Sequence, residues 1–166
     1  MLICQKAELL RIPLGTLQEA GQLIIDTTYL LPLVGIEIES NLLALMNENK
    51  FDLQLEEMSI SLISVFEVQA KCARLKIPEK VVLEGMDAIL HGFSVESFYE
   101  GRVVREAQRL REKFNEYIDC VIIATASTRK EHLLTEDSRI LNEAQWIRQT
   151  CGVEVMDFRH LQGGAD

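Results

Sequence analysis

Tyr117-Ile-Asp-Cys-Val-Ile-Ile-Ala-Thr-Ala-Ser127 sets a carboxylate, Asp119, at the head of an uncharged and mostly apolar run. Val121-Ile122-Ile123 favours a strand through β-branching, Ala124-Thr125-Ala126-Ser127 favours neither state strongly, and so short an apolar run does not reveal its period. Read alone, the segment is a buried strand or a buried helix. Asp119 is then a cap or a ligand, since a lone Asp before an apolar run commonly accepts a bond from a free backbone N–H. The flanking sequence has to decide.

On the N-terminal side, residues 98–114 read as an amphipathic helix with Tyr99, Val103, Ala107, Leu110 and Phe114 on its apolar face. On the C-terminal side, "HLLTED" (132–137) reads as a strand ending in acids, 138–148 as a helix and "GVEVMDF" (152–158) as a last strand. Further upstream, Leu23-Ile24-Ile25 is a buried strand that ends at Asp26. "TTYLLPLVGI" (27–36) carries Pro32 and Gly35, which keep any helix short or bent. Residues 40–49 read as a helix capped by Ser40 with Leu42, Leu45 and Met46 on one face, and 53–60 holds a short strand. Residues 61–75 fit a helix with a stripe of Leu62, Val65, Phe66, Cys72 and Ala73; 79–90 fit another that starts at Pro78 and stops at His91-Gly92; "FSVES" (93–97) reads as a strand. Short strands alternating with helices predict an α/β fold with a mostly parallel sheet.

A chain of 166 residues with 48% hydrophobic content fits one domain with a packed core. No apolar run reaches the roughly 18 residues that cross a bilayer, and the start lacks a cationic region followed by a long apolar one. These features predict a soluble, cytoplasmic protein without a membrane partner. Cys4, Cys72, Cys120 and Cys151 form no Cys-x-x-Cys pair and only three histidines occur, which argues against a Cys/His zinc site. A net charge of −9 argues against a polyanion partner unless a local basic patch exists or acids are gathered around divalent cations.

Both exceptions have candidates. Parallel strands bring their carboxyl ends to one edge, where ligand sites form. Asp26 and Asp137 follow strands and emerge at that edge, Asp119 opens the segment quoted above, and Glu67 lies mid-helix. The bland readings are caps for the three aspartates and an i,i+4 surface pair with Lys71 for Glu67. Arg102, Arg105, Arg109 and Lys113 recur at spacings of three and four along 98–114, a stripe able to track an RNA backbone or else an ordinary solvated face.

Four segments, taken in order, resemble the PIN domain family of nucleases, which includes toxin halves of many prokaryotic toxin–antitoxin pairs. "LIIDTTYLL" resembles the opening strand with its first Asp, here Asp26, and a following hydroxyl residue, Thr27. "SVFEVQAK" resembles the helix with the family's Glu, here Glu67; "YIDCVIIATAS" the segment with Asp119 and Thr125; "LLTED" the strand ending in Thr135 and Asp137. The match covers roughly residues 22–157. The stretch before the first strand is longer than the family's short leader.

The resemblance implies a three-layer α/β/α sandwich around a central parallel sheet of about five strands, and it implies that 119–127 is a buried helix. It divides the chain into an extension (1–21), the nuclease domain (22–160) and a tail (161–166). It further implies that Asp26, Glu67, Asp119 and Asp137 hold Mg²⁺ or Mn²⁺, with Thr27, Thr125 and Thr135 behind them, and that RNA is cut to leave a 5′-phosphate. A toxin role would add an antitoxin-like protein partner, and apolar residues within 30–46 would pair two subunits into a homodimer. Two rivals stand beside this reading. One is a PIN-fold module that binds RNA or a partner without cutting. The other is a phosphatase of haloacid-dehalogenase type, whose pattern wants a second Asp where Thr28 stands.

Overall fold

The computed structural model describes residues 23–38 and 58–159. Five strands form one sheet: β1 (Leu23–Ile25), β2 (Met58–Ser61), β3 (Ser94–Glu96), β4 (His132–Leu134) and β5 (Val155–Met156), in the order β3-β2-β1-β4-β5. Every neighbouring pair is parallel. Between them run a 3-10 helix (Thr27–Val34) and six α-helices: α1 (Leu62–Leu75), α2 (Glu79–Gly92), α3 (Gly101–Leu110), α4 (Tyr117–Arg129), α5 (Ser138–Asn142) and α6 (Ala144–Cys151). The strand expected over 53–60 is present from Met58; the helix expected over 40–49, the extension 1–21 and the tail lie outside the described residues.

Alternation along the short strands divides the core in two. Leu23, Ile25, Met58, Ile60 and Leu134 face one side, where the 3-10 helix, α1 and α2 bury Leu30, Val34, Val65, Val68 and Ile89. Ile24, Leu133 and Val155 face the other, where α3, α4, α5 and α6 bury Val103, Leu110, Ile122, Ile123, Ile140 and Ile147. Successive side chains of a strand point to opposite faces, and parallel sheets are covered on both. The result is the α/β/α sandwich that the family resemblance implies.

The stretch 117–129 is a helix, and the reason its period was hidden is now visible. Seven consecutive residues, Cys120 to Ala126, are buried, so no polar face marks a turn. A helix that is apolar all round sits in the core. It ends where Lys130 turns into the left-handed region, φ 60°, and Glu131 N–H donates to the Ala126 carbonyl.

Several local expectations need correction. The helix read over 98–114 spans Gly101–Leu110, and turns carry the chain on through Lys113. Tyr99 precedes it and is 70% exposed rather than part of its apolar face. The buried stripe of α1 runs through Ser64, Val65, Val68 and Cys72, which leaves Phe66 63% exposed and Ala73 exposed. The helix read over 138–148 is two helices that meet at Glu143. Within 30–46, Leu30, Leu31 and Val34 are buried in the chain's own core and Leu33, Ile36 and Ile38 are partly buried; residues 39–46 lie outside the described residues. Among the described residues no helix is long and apolar enough to cross a membrane.

Candidate functional site

Asp26 leaves the end of β1 while still hydrogen-bonded to the neighbouring strand, its N–H donating to the Leu134 carbonyl at 2.9 Å. The carboxylate is buried and accepts two bonds: Thr27 N–H at 2.7 Å on one oxygen and the Thr135 hydroxyl at 2.8 Å on the other. The first bond caps the 3-10 helix, so the bland reading of Asp26 holds locally. It does not account for the burial. The Thr135 hydroxyl also accepts the Asp137 N–H at 3.0 Å, which ties the ends of β1 and β4 together.

Asp137 is the N-cap of α5 through the Arg139 N–H at 2.8 Å, again as the bland reading expects. Asp119 is no cap: Glu116 holds that position, without a side-chain bond, and Asp119 stands inside the first turn of α4. There the N-terminal partial positive charge of the helix favours a carboxylate. Glu67 forms its i,i+4 pair with Lys71 at 3.0 Å.

Electrostatics shows which of these groups share a field. Burial pushes the Asp26 carboxyl up to about 6; the Thr135 and Thr27 bonds oppose that, and the negative charges of Glu67 and Asp137 add to it. Burial likewise pushes Asp119 up to about 7, opposed by Arg139 and reinforced by Asp137, Glu116 and Asp26. Asp26 therefore lies in the field of Glu67 and Asp137, and Asp119 in that of Asp137 and Asp26. Among the described residues, no group of three or more His, Cys, Asp or Glu side chains is gathered closely enough to hold a metal ion as it stands.

A residue that the sequence reading missed stands among these acids. The Arg139 guanidinium pairs with Asp137 at 2.6 Å, Glu116 at 2.5 Å and Asp119 at 3.6 Å. Its bonds hold the Asp137 and Glu116 carboxyls below the usual carboxylate range. By donor chemistry the acids suit a hard divalent cation: they offer oxygen ligands, and two of them are desolvated without full compensation.

The threonines differ in role. Thr135 links Asp26 to Asp137 directly. Thr27 serves Asp26 through its backbone, while its buried Oγ1 has no hydrogen-bond partner. The Thr125 hydroxyl donates to the Val121 carbonyl at 2.7 Å and lies 3.3 Å from Ser61 Oγ. Those bonds fix α4 against β2 and reach no carboxylate.

The basic stripe is largely occupied within the chain. Arg109 pairs with Glu106 at 2.5 Å, Lys113 with Glu143 at 2.8 Å, and Arg102 lies 4.0 Å from Glu100; Arg105 is exposed.

One consequence is measurable without any substrate. Folded Asp26 and Asp119 hold their protons more tightly than in the unfolded chain. Between about pH 4 and 7 the native state therefore binds more protons, and its stability falls as pH rises through that window. The cost is on the order of 3 kcal/mol for Asp26 alone. Asp137 and Glu116 shift the other way and lose their stabilisation only below about pH 4. In chelator, the melting temperature is expected to drop by roughly 5–10 °C from pH 5 to pH 8. Asp26→Asn is expected to flatten the profile; an unchanged slope in that variant would refute the assignment.

Comparison with known proteins decides the family. The model of the PIN domain matches residues 23–146. The chain belongs to the PIN domain family. Solved structures share the fold at low identity. VapBC2 from Rickettsia felis, bound to a DNA fragment from its promoter, is 16% identical with a TM-score of 0.57, covering 82% of this chain and 98% of that one. FitAcB from Neisseria gonorrhoeae is 17% identical with a TM-score of 0.55, covering 81% and 96%. PAE2754 from Pyrobaculum aerophilum is 14% identical with a TM-score of 0.51, covering 89% and 93%. No curated protein matches the chain. In this PIN domain, Asp26 and Asp137 follow the ends of β1 and β4, while Glu67 lies within α1 and Asp119 in the first turn of α4.

Proposed function

We propose that this PIN domain is a divalent-metal-dependent nuclease that hydrolyses phosphodiester bonds of RNA, with Asp26, Glu67, Asp119 and Asp137 as the residues that hold Mg²⁺ or Mn²⁺. The observation that carries the reading is Asp26. It is a buried carboxylate at a strand end, fixed by two hydrogen bonds and exposed to the negative charge of two other acids. A fold does not keep such a group for stability, since burying unneutralised charge is costly. A cation would resolve the cost.

The bound metal would supply charge neutralisation at the phosphate and a water acidified toward hydroxide. The chain supplies the rest. Thr135 and the Thr27 N–H fix both oxygens of Asp26, so its orientation is set before anything binds. Burial of Cys120 to Ala126 anchors α4 and so fixes where Asp119 stands in the first turn. Their raised proton affinity makes Asp26 and Asp119 compete between proton and metal, so activity should climb as pH rises through about 6 to 7.

Family membership supports the nuclease class. The PIN family includes toxin halves of toxin–antitoxin pairs, so a dedicated inhibitory protein belongs to this reading. The test is cleavage of a panel of RNAs with Mg²⁺ or Mn²⁺ present, with product ends analysed. Cut RNA with 5′-phosphate ends is the expected result. A folded protein that cuts none of them yet binds RNA or a protein tightly would favour a non-catalytic PIN module.

A further inference from the structure

Arg139 stands among the acids that the proposed metal would need, and its geometry is that of an occupant rather than a neighbour. Its Nε and backbone N–H both donate to Asp137 Oδ1, at 3.2 and 2.8 Å, while a terminal nitrogen donates to Oδ2 at 2.6 Å. Both oxygens of Asp137 are thereby engaged. The same nitrogen lies 3.6 Å from Asp119, and the other terminal nitrogen donates to Glu116 at 2.5 Å. One planar guanidinium therefore ties α5 to the first turn of α4 and supplies positive charge to the cluster. Planar fork pairing of this kind is what Arg does best and Lys does poorly.

We propose that Arg139 is a built-in counter-ion of the acidic site, seated on Asp137 and Asp119 in the metal-free chain and displaced from them when a divalent cation loads. The inference rests on the metal-site reading above. A cation bound through Asp137 and the guanidinium bond to Asp137 Oδ2 compete for one oxygen, and two positive groups a few ångströms apart repel. Displacement costs little elsewhere. The Arg139 side chain is 55% exposed and belongs to a five-residue helix at the surface. Glu116, 57% exposed and outside the four acids, remains as a partner. The device lowers apparent metal affinity by the fraction of molecules with the guanidinium seated. It also keeps the metal-free acids from repelling one another apart.

The test is Mn²⁺ binding to metal-stripped, folded protein, followed by electron paramagnetic resonance, for the wild type, Arg139→Gln, Arg139→Lys and Asp26→Asn. Arg139→Gln is expected to bind Mn²⁺ about tenfold more tightly than wild type, because a charge-assisted fork no longer competes. Arg139→Lys should fall between them, since it keeps the charge and loses the fork. The wild-type Arg139 Nε–H resonance should shift on Mg²⁺ addition and stay still in Asp26→Asn. Equal or weaker Mn²⁺ binding by Arg139→Gln, with wild type binding normally, overturns the counter-ion role and leaves the metal site standing. Absence of Asp26-dependent binding in both proteins overturns the metal site and this inference with it.

Discussion

Asp26→Asn is expected to reduce RNA cleavage by about 10²–10³-fold while leaving the protein folded. Asparagine keeps the shape and one acceptor oxygen, so the Thr135 or Thr27 bond survives in part. It removes the negative charge that a cation requires. The same substitution relieves a buried, desolvated carboxylate, so the metal-free variant should melt higher than wild type at pH 8. Activity down and stability up is a pattern that a purely structural aspartate does not produce. Thr135→Val should cost about tenfold, since it frees an Asp26 oxygen and an Asp137 N–H without touching charge. Circular dichroism and initial rates on one RNA measure both effects. A rate within a few-fold of wild type for Asp26→Asn would remove Asp26 from the chemistry.

Gly85→Ala is expected to be the most damaging single methyl in the described residues. A Cβ there would meet the Leu33 carbonyl oxygen at 2.5 Å and Val34 Cγ1 at 2.6 Å. The oxygen belongs to backbone and has no rotamer to escape into, so α2 must move away from the 3-10 helix. Overpacking of this kind costs about 3 kcal/mol. Because Asp26 caps the 3-10 helix, the shift should reach the acidic edge and depress cleavage as well. Gly101→Ala supplies the contrast. Nothing lies within 4 Å of its Cβ, and the position opens α3. Its expected effect is a change within about 1 kcal/mol, on the stabilising side. Urea unfolding of the two variants checks both values, and equal stabilities would contradict the close approach of α2 and the 3-10 helix.

The sequence made the sheet legible because its strands are short apolar runs closed by acids or turns. Leu23-Ile24-Ile25 before Asp26 and Leu133-Leu134 before Thr135 are clear in one dimension. The segment 117–129 was not, because burial on all sides removes the alternation that distinguishes helix from strand, and only the family resemblance resolved it. Helical stripes are legible in the main, since Val103, Ala107, Leu110 and Phe114 are buried as their spacing predicts, but single members fall off the face. In α1, Phe66 satisfies an apolar count as well as Val68 does, yet Val68 faces the sheet and Phe66 does not. The acids were named from strand ends and the resemblance. Arg139 was invisible to both. Its side chain folds back onto its own helix cap and across to Glu116 and Asp119, some twenty residues away, and no local pattern encodes that return.

In the proposed function, carboxylates at the carboxyl edge of this sheet act through a divalent cation. Its most direct test is cleavage of one RNA by metal-stripped protein, with Mg²⁺, Mn²⁺ or EDTA added, for the wild type and Asp119→Asn side by side. Cleavage by wild type is expected with either ion and not in EDTA, with at least a hundredfold loss in Asp119→Asn, by the scale of a lost charge at such a site. Cleavage that persists in EDTA, or that Asp119→Asn retains in full, would contradict it.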